Sequence, residues 1–257
     1  MPLHTDLLLF AAGLVASSVN AAAGGGTLLS FPALLAAGLS PLAASATSTV
    51  GLLAGYLSSA AEYRREVQKL RGEVLATVVP SVAGGALGAW LLLQLGGVFF
   101  ARIVPALLIG ASLLLLSQPL VARLLRRMRR SHQEHAWAVA GALFVIAIYG
   151  GYFGAGAGIL FLAGMGLIYN RELTEVNAIK VVASLIATAI AAFTLVSAEL
   201  LRPSGALHWR AAAPLTLGAI AGGIVGARVA RKLPPRMLAG FAALVGLGIA
   251  AWFLLRR

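Results

Sequence analysis

Apolar segments follow one another along this chain with only short polar connections. They fall at approximately 3–19, 27–38, 42–61, 74–95, 98–121, 136–152, 158–169, 174–200, 208–230 and 236–255. The chain is 60% hydrophobic and 11% charged, with a mean hydropathy of +0.93. A soluble domain carries about 25% charged residues, so the sequence predicts an all-α integral membrane protein. Two segments, 27–38 and 158–169, are too short for the bilayer. At 1.5 Å rise per residue, the run from Leu28 to Ala37 covers about half of a ~30 Å hydrocarbon core.

A glycine-rich break precedes each short segment. The first is Asn20-Ala21-Ala22-Ala23-Gly24-Gly25-Gly26-Thr27, and it returns in altered form as Tyr152-Phe153-Gly154-Ala155-Gly156-Ala157-Gly158. Irregular backbone at membrane depth is tolerated only when buried in protein or lining a polar cavity. Each break is therefore expected at the tip of a pair of facing partial helices, as half of a substrate site. The short segments either span or re-enter, and the sequence leaves that open.

The ten segments divide five and five about the basic loop Arg123 to His135, and the halves resemble each other. Gly24-Gly25-Gly26 aligns with Gly156-Ala157-Gly158 at an offset of 132 residues. The same offset lays Ser45-Ala46-Thr47-Ser48-Thr49-Val50 on Asn177-Ala178-Ile179-Lys180-Val181-Val182. Later, Gly84-Gly85-Ala86-Leu87-Gly88-Ala89 matches Gly222-Gly223-Ile224-Val225-Gly226-Ala227. Residues 1–121 are thus expected to form a first repeat, 122–135 a basic cytoplasmic linker, and 136–257 a second repeat, all within one membrane domain.

The net charge of +12 is a matter of position. Alternate connections, after the third, fifth, seventh and ninth segments, hold fourteen of the twenty Lys and Arg residues. This is the positive-inside pattern, which places those loops in the cytoplasm against anionic headgroups and gives no support to nucleic-acid binding. Both termini then face outward and the two repeats lie inverted, the plan of many secondary transporters. Met1 to Asp6 holds no Lys or Arg, so the first apolar run is expected to be a mature segment, not a cleaved signal. The absence of cysteine excludes disulfides and thiolate metal sites.

Helix starts expose free N–H groups and the positive end of the dipole, so Gly24, Gly25, Gly26 and Thr27, with Gly156 and Gly158, form two candidate anion-receiving ends. Glycine also serves close helix packing alone. Lys180 lies about two turns into an apolar run, ~10 Å from its cytoplasmic end. An intramembrane cation usually faces a cavity or a partner; the competing roles are snorkelling or pairing with Glu175 or Glu172. Thr47, Ser48 and Asn177 could donate to an oxyanion, although membrane Ser and Thr often bond the preceding turn instead. Asn20 and Tyr152 occupy equivalent places before the breaks, and either lines the cavity or caps a helix end. No Asp or Glu lies mid-segment, and neither HExxH nor GxxxxGK[ST] occurs. The sequence therefore gives no support to metalloenzyme or ATP-driven chemistry, and no cofactor is expected.

Gly13-Leu14-Val15 through Gly24-Gly25-Gly26-Thr27-Leu28-Leu29, then Pro32 and Ala46-Thr47-Ser48, resembles the first half of the sulfite exporter TauE/SafE family of membrane permeases. Asn177-Ala178-Ile179-Lys180-Val181-Val182 and the second Gly-Gly-x-x-Gly-Ala resemble its second half. The resemblance implies export of a small sulfur-containing oxyanion across a bacterial inner membrane. Gly156-Ala157-Gly158 lacks one glycine of the first half, so the two ends need not contribute equally. The expectation is a transporter, not an enzyme, in which one repeat rocks against the other around a small anion, with membrane lipids as the other partner. The alternatives are a cation-coupled importer of similar anions, a membrane-embedded enzyme, and a structural subunit.

Overall fold

The computed structural model describes residues 2–22, 24–128, 136–169, 171–229 and 235–255. Their regular structure is helical throughout: α1 (Leu3–Ala22), α2 (Thr27–Ala36), α3 (Pro41–Glu62), α4 (Arg64–Lys69), α5 (Arg71–Met128), α6 (Ala136–Tyr152), α7 (Ala157–Ile168), α8 (Leu173–Leu201), α9 (Trp209–Val229) and α10 (Pro235–Leu255). The apolar segments read from the sequence map onto these helices with shifts of a residue or a few. α5 contains two of them, because Gly96, with φ of +73°, breaks the run between its two arms. Only glycine enters that left-handed region without strain. The short, charged α4 lies in the first basic connection, where the apolar pattern predicts no segment. Arg129, Arg130, Arg231 and Lys232 lie outside the described residues, as does the linker from 129 to 135.

Local chemistry sets several of the boundaries. Ser40 caps α3, its Oγ accepting from the Ala43 N–H at 3.4 Å, and Pro41 occupies the first helical position, where its missing N–H and fixed φ are no loss. Glu172 and Glu175 form a capping box at the start of α8, the Glu175 carboxylate accepting from the Glu172 N–H at 3.2 Å. Such reciprocal bonds satisfy donors that a helix start leaves unpaired.

Among the described residues, Leu3–Ala21, Arg71–Ser117 and Thr174–Leu201 are long and apolar enough to cross a membrane. Thr27–Ala36, Val139–Tyr152, Ala157–Gly166 and Gly240–Leu255 are shorter apolar helices. Large apolar side chains such as Leu75, Val79, Val98, Phe193 and Leu217 face outward. Lipid exerts no hydrophobic pressure on such a bundle, so close backbone approach through small residues must hold it together.

The two Gly-Gly-x-x-Gly-Ala stretches supply that approach. On the first arm of α5, a Cβ at Gly84 would sit 2.5 Å from the Phe144 carbonyl oxygen of α6, and one at Gly85 would sit 2.5 Å from that of Ala187 in α8. On α9, a Cβ at Gly222 would strike the Leu14 carbonyl of α1, and one at Gly223 the Gly55 carbonyl of α3. Gly55 and Ala187 are themselves 132 residues apart. Each motif therefore wedges its helix against two helices from the other half of the sequence.

Ion pairs and hydrogen bonds gather several helix ends together. Arg228 at the end of α9 pairs with Glu62 at the end of α3 (3.0 Å), and Arg171 before α8 pairs with Glu73 at the start of α5 (2.6 Å). Tyr63, just past α3, accepts from Asn177 near the start of α8 at 2.9 Å. The start of α3 lies at the opposite end, about 33 Å away by helical rise.

Candidate functional site

The two glycine breaks meet. The Gly158 N–H donates to the Gly24 carbonyl at 3.3 Å. A Cβ on either glycine would lie 2.5 Å from the Cα of the other, closer than any side chain permits. Gly24 also has a φ of +83°, so both its conformation and its neighbour require glycine. Gly25 and Gly156 pack on Leu115 and Ala111 of the second α5 arm, and a Cβ at Gly26 would strike the Ala16 carbonyl.

Each break is fastened by a side chain from the helix before it. Asn20, in the last turn of α1, accepts the Gly26 N–H on Oδ1 at 2.6 Å. Of the two roles open to it in the sequence, the structure gives it that of a fastener at the start of α2. Tyr149, which the sequence pattern does not single out, holds the second break: its hydroxyl donates to the Ala155 carbonyl at 2.5 Å. Tyr152, aligned with Asn20, packs edge-on against Phe100 with ring centroids 5.6 Å apart. Its hydroxyl is buried and has no hydrogen-bond partner among the described residues.

The short helices α2 and α7 begin at this junction, with Gly26 and Gly156 at their N-cap positions and no side chain capping either. The positive ends of two helix dipoles are thus brought together inside the bundle. Thr27, the first residue of α2, is buried here.

Lys180 and Asn177 approach from α8. The Lys180 Nζ donates to the Asn20 carbonyl at 3.3 Å, and the Asn177 Nδ2 to the Ala21 carbonyl at 3.4 Å. These are unsatisfied carbonyls at the C-terminal end of α1, where the helix dipole is negative and a cation is favoured. Lys180 is only 1% exposed, so it does not snorkel. Glu175 is engaged in the α8 capping box, and no carboxylate pairs with Lys180 among the described residues. The arrangement is one the sequence did not suggest: the ammonium caps the helix that leads into the first break.

Thr47 and Ser48 are both buried, and their bonds lead to neighbouring elements. The Thr47 hydroxyl accepts the His208 N–H at 3.2 Å, just before α9, and Ser48 shares a 2.6 Å hydrogen bond with Ser30 of α2. Ser48 therefore joins α3 to α2 about one turn beyond the first break, while Thr47 ties α3 to α9. Three aromatic rings, Phe31, Phe100 and Phe153, pack beside the breaks at centroid separations of 5.5 to 6.5 Å. The sequence pattern does not single out Phe31 or Phe100, and Phe153 enters it only as part of the second break. Ser184, one turn past Lys180, is also buried with an unpartnered hydroxyl among the described residues; its i+4 spacing from Lys180 was the available signal.

The junction joins two positive dipole ends to one buried ammonium and is closed to solvent, with the Gly26, Ala157, Gly158 and Ile159 N–H groups bonded within the protein. Among the described residues no group of three or more His, Asp or Glu side chains could hold a metal.

A helical bundle with apolar outer faces and two short helices meeting at glycine breaks is the architecture of a polytopic membrane protein. The sequence matches the Sulfite exporter TauE/SafE family over residues 9–253, and the chain belongs to that family. It is 27% identical over 231 residues to a probable membrane transporter protein of Haemophilus influenzae, covering 89% of this chain and 87% of that one. It is 30% identical over 178 residues to the probable membrane transporter protein YfcA of Escherichia coli, covering 69% and 64% of the two chains. No solved structure matches it. The chain is a multi-pass membrane protein of a membrane transporter family.

Proposed function

We propose that this protein is a secondary transporter that exports a small sulfur-containing oxyanion, of the sulfite or organosulfonate class, by alternating access. The observation that carries the proposal is the junction of Gly24 with Gly158, where two helix starts converge beside the buried Lys180. The positive dipole ends of α2 and α7 would draw the anion to the junction, where the Ala157, Gly158 and Ile159 N–H groups are already bonded within the protein, and Lys180 would supply a full charge. Asn177 and Thr27 would complete the hydrogen bonds, with Asn20 and Tyr152 at the margins. Thr47 and Ser48 would act through α2 and α9, the elements they bond. Family membership supports the sulfur oxyanion; the residues themselves support only an anion.

Two inverted repeats underlie the proposed mechanism. Matching glycine wedges at Gly85 and Gly223, set against residues 132 apart, support that reading. So do the basic residues gathered at one end of the bundle, which would be cytoplasmic. In this reading the short helices α2 and α7 are re-entrant, and their starts meet inside the membrane. Because each Gly-Gly-x-x-Gly-Ala helix packs on the other half, the rocking bodies would be α1, α3 and α9 against α6, α8 and the first arm of α5. These groups cross the boundary between sequence halves.

An inside-negative potential favours export of each anionic charge by about 2.3 kcal/mol per 100 mV, so no coupling ion is required. The test is charge movement in proteoliposomes given sulfite, thiosulfate or sulfoacetate in turn, with Lys180→Ala beside the parent. Electrogenic flux of an oxyanion that disappears in the folded variant is the expected result. Absence of current with every anion would overturn the proposal, and currents equal in the two proteins would remove Lys180 from the site.

A further inference from the structure

A cavity of about 540 Å³ opens at the end of the bundle opposite the Arg228–Glu62 pair. Its walls come from three places: the start of α3 (Ser40, Leu42), the α5 break (Leu93, Gln94, Gly97), and the end of α8 with the loop after it (Ala198, Leu201, Arg202, Ser204, Gly205, Ala206). Arg202, an exposed residue, belongs to this lining. The nearest acid in sequence does not neutralise it. The Glu199 carboxylate accepts the N–H groups of Ser204, Gly205 and Ala206 at 3.2, 2.9 and 3.2 Å and the Ser204 hydroxyl at 2.7 Å. Glu199 is not part of the lining, and Arg202 has no ion-pair partner among the described residues.

We infer that this cavity is an outer vestibule that binds small sulfonates and related oxyanions before or after passage through the membrane. Arg202 provides the charge, and the Gln94 amide and Ser40 hydroxyl provide uncharged donors. The α3 N-terminus, which begins at Ser40, adds its positive dipole end. Leu42, Leu93 and Leu201 offer apolar walls to a short carbon chain, which a bare inorganic anion would not need. Thr47 lies two turns along α3 from Ser40 and bonds the His208 N–H, so the vestibule's floor is tied to the lead-in of α9. From α3, the Ser48–Ser30 bond reaches the α2 helix that starts at the first glycine break. The inference rests on the transport reading for its physiological meaning, but the binding itself is separately measurable.

The protein has no cysteine, so a single introduced thiol reports without background. Ala198→Cys, in the lining but with no part in the binding, would be reacted with 2-sulfonatoethyl methanethiosulfonate, with and without Arg202→Gln, in phosphatidylcholine vesicles. Gly97→Cys serves as a second reporter. Arg202 is expected to accelerate the sulfonate reagent by about threefold to fivefold, the scale of one exposed charge. It should slow the cationic trimethylammonium analogue, and methanesulfonate should compete with the sulfonate reagent. Rates that ignore both Arg202 and methanesulfonate would overturn the inference. Protection by added phosphatidylglycerol, with none by methanesulfonate, would assign the cavity to lipid headgroups and overturn it equally. In transport assays, Arg202→Gln should raise KM with little change in the maximal rate, and Arg202→Lys should restore most of the loss. A parent protein that carries no anion yet shows Arg202-dependent labelling would sink the transport reading and leave the vestibule standing.

Discussion

At the level of single residues, glycine stands in two physically different situations. Gly24 and Gly158 stand backbone to backbone, so Gly158→Ala must push two chain segments apart. It should destabilise the protein by about 3 kcal/mol, the upper range for overpacking, and abolish transport. Gly110 has open space where a Cβ would go and lies in a helix. Gly110→Ala should be neutral or stabilising by up to about 1 kcal/mol. Thermal denaturation in detergent separates the two, and a neutral Gly158→Ala would mean that the breaks do not touch. Lys180 poses a second question, because its bond to the Asn20 carbonyl is also a helix cap. Lys180→Met removes the charge while keeping much of the volume. If the ammonium serves the substrate, transport is lost while the melting temperature moves little; a pure cap predicts a loss of about 1 kcal/mol with transport retained. Lys180→Arg should keep the cap and impair the flux, since a forked guanidinium does not fit the space of a point charge.

The helices extend the argument from residues to wedges. Gly85 approaches the Ala187 carbonyl as Gly223 approaches that of Gly55, each from its own Gly-Gly-x-x-Gly-Ala stretch. Gly85→Ala and Gly223→Ala should therefore destabilise by similar amounts, about 1–3 kcal/mol each. The double variant should be additive within about 0.5 kcal/mol if the two contacts are independent. A large effect at one site and none at the other would break the structural equivalence of the halves. α5 carries a related lesson. Its 58 residues read as two apolar segments in the sequence, and the left-handed Gly96 is what separates them.

The molecule as a whole presents basic residues at one end and the Arg202 cavity at the other. In right-side-out vesicles, a thiol placed by Ser204→Cys should react with an impermeant reagent, and one placed by Gln68→Cys should react only after the membrane is breached. The reverse pattern would invert the proposed orientation and with it the direction in which the potential drives an anion.

The sequence alone determined the helical membrane class, the ten apolar segments, the two breaks and the family. Each of these is written in local hydropathy, in glycine spacing or in the order of short motifs. Lys180 could also be singled out there, because a cation in an apolar run is conspicuous without any neighbour. Its partner could not, since the Asn20 carbonyl is 160 residues away and backbone groups carry no sequence signature. Tyr149 was missed for the same reason: the carbonyl it holds is made available only by the turn at Gly154 and Gly156. The partners of Thr47 and Ser48, the His208 N–H and the Ser30 hydroxyl, were likewise invisible in the sequence because they lie on other elements. Only the tertiary structure decided that the two breaks touch and that each Gly-Gly-x-x-Gly-Ala helix packs on the opposite half. Those outcomes depend on which surfaces can approach most closely in lipid, a property of pairs of helices and not of any one of them.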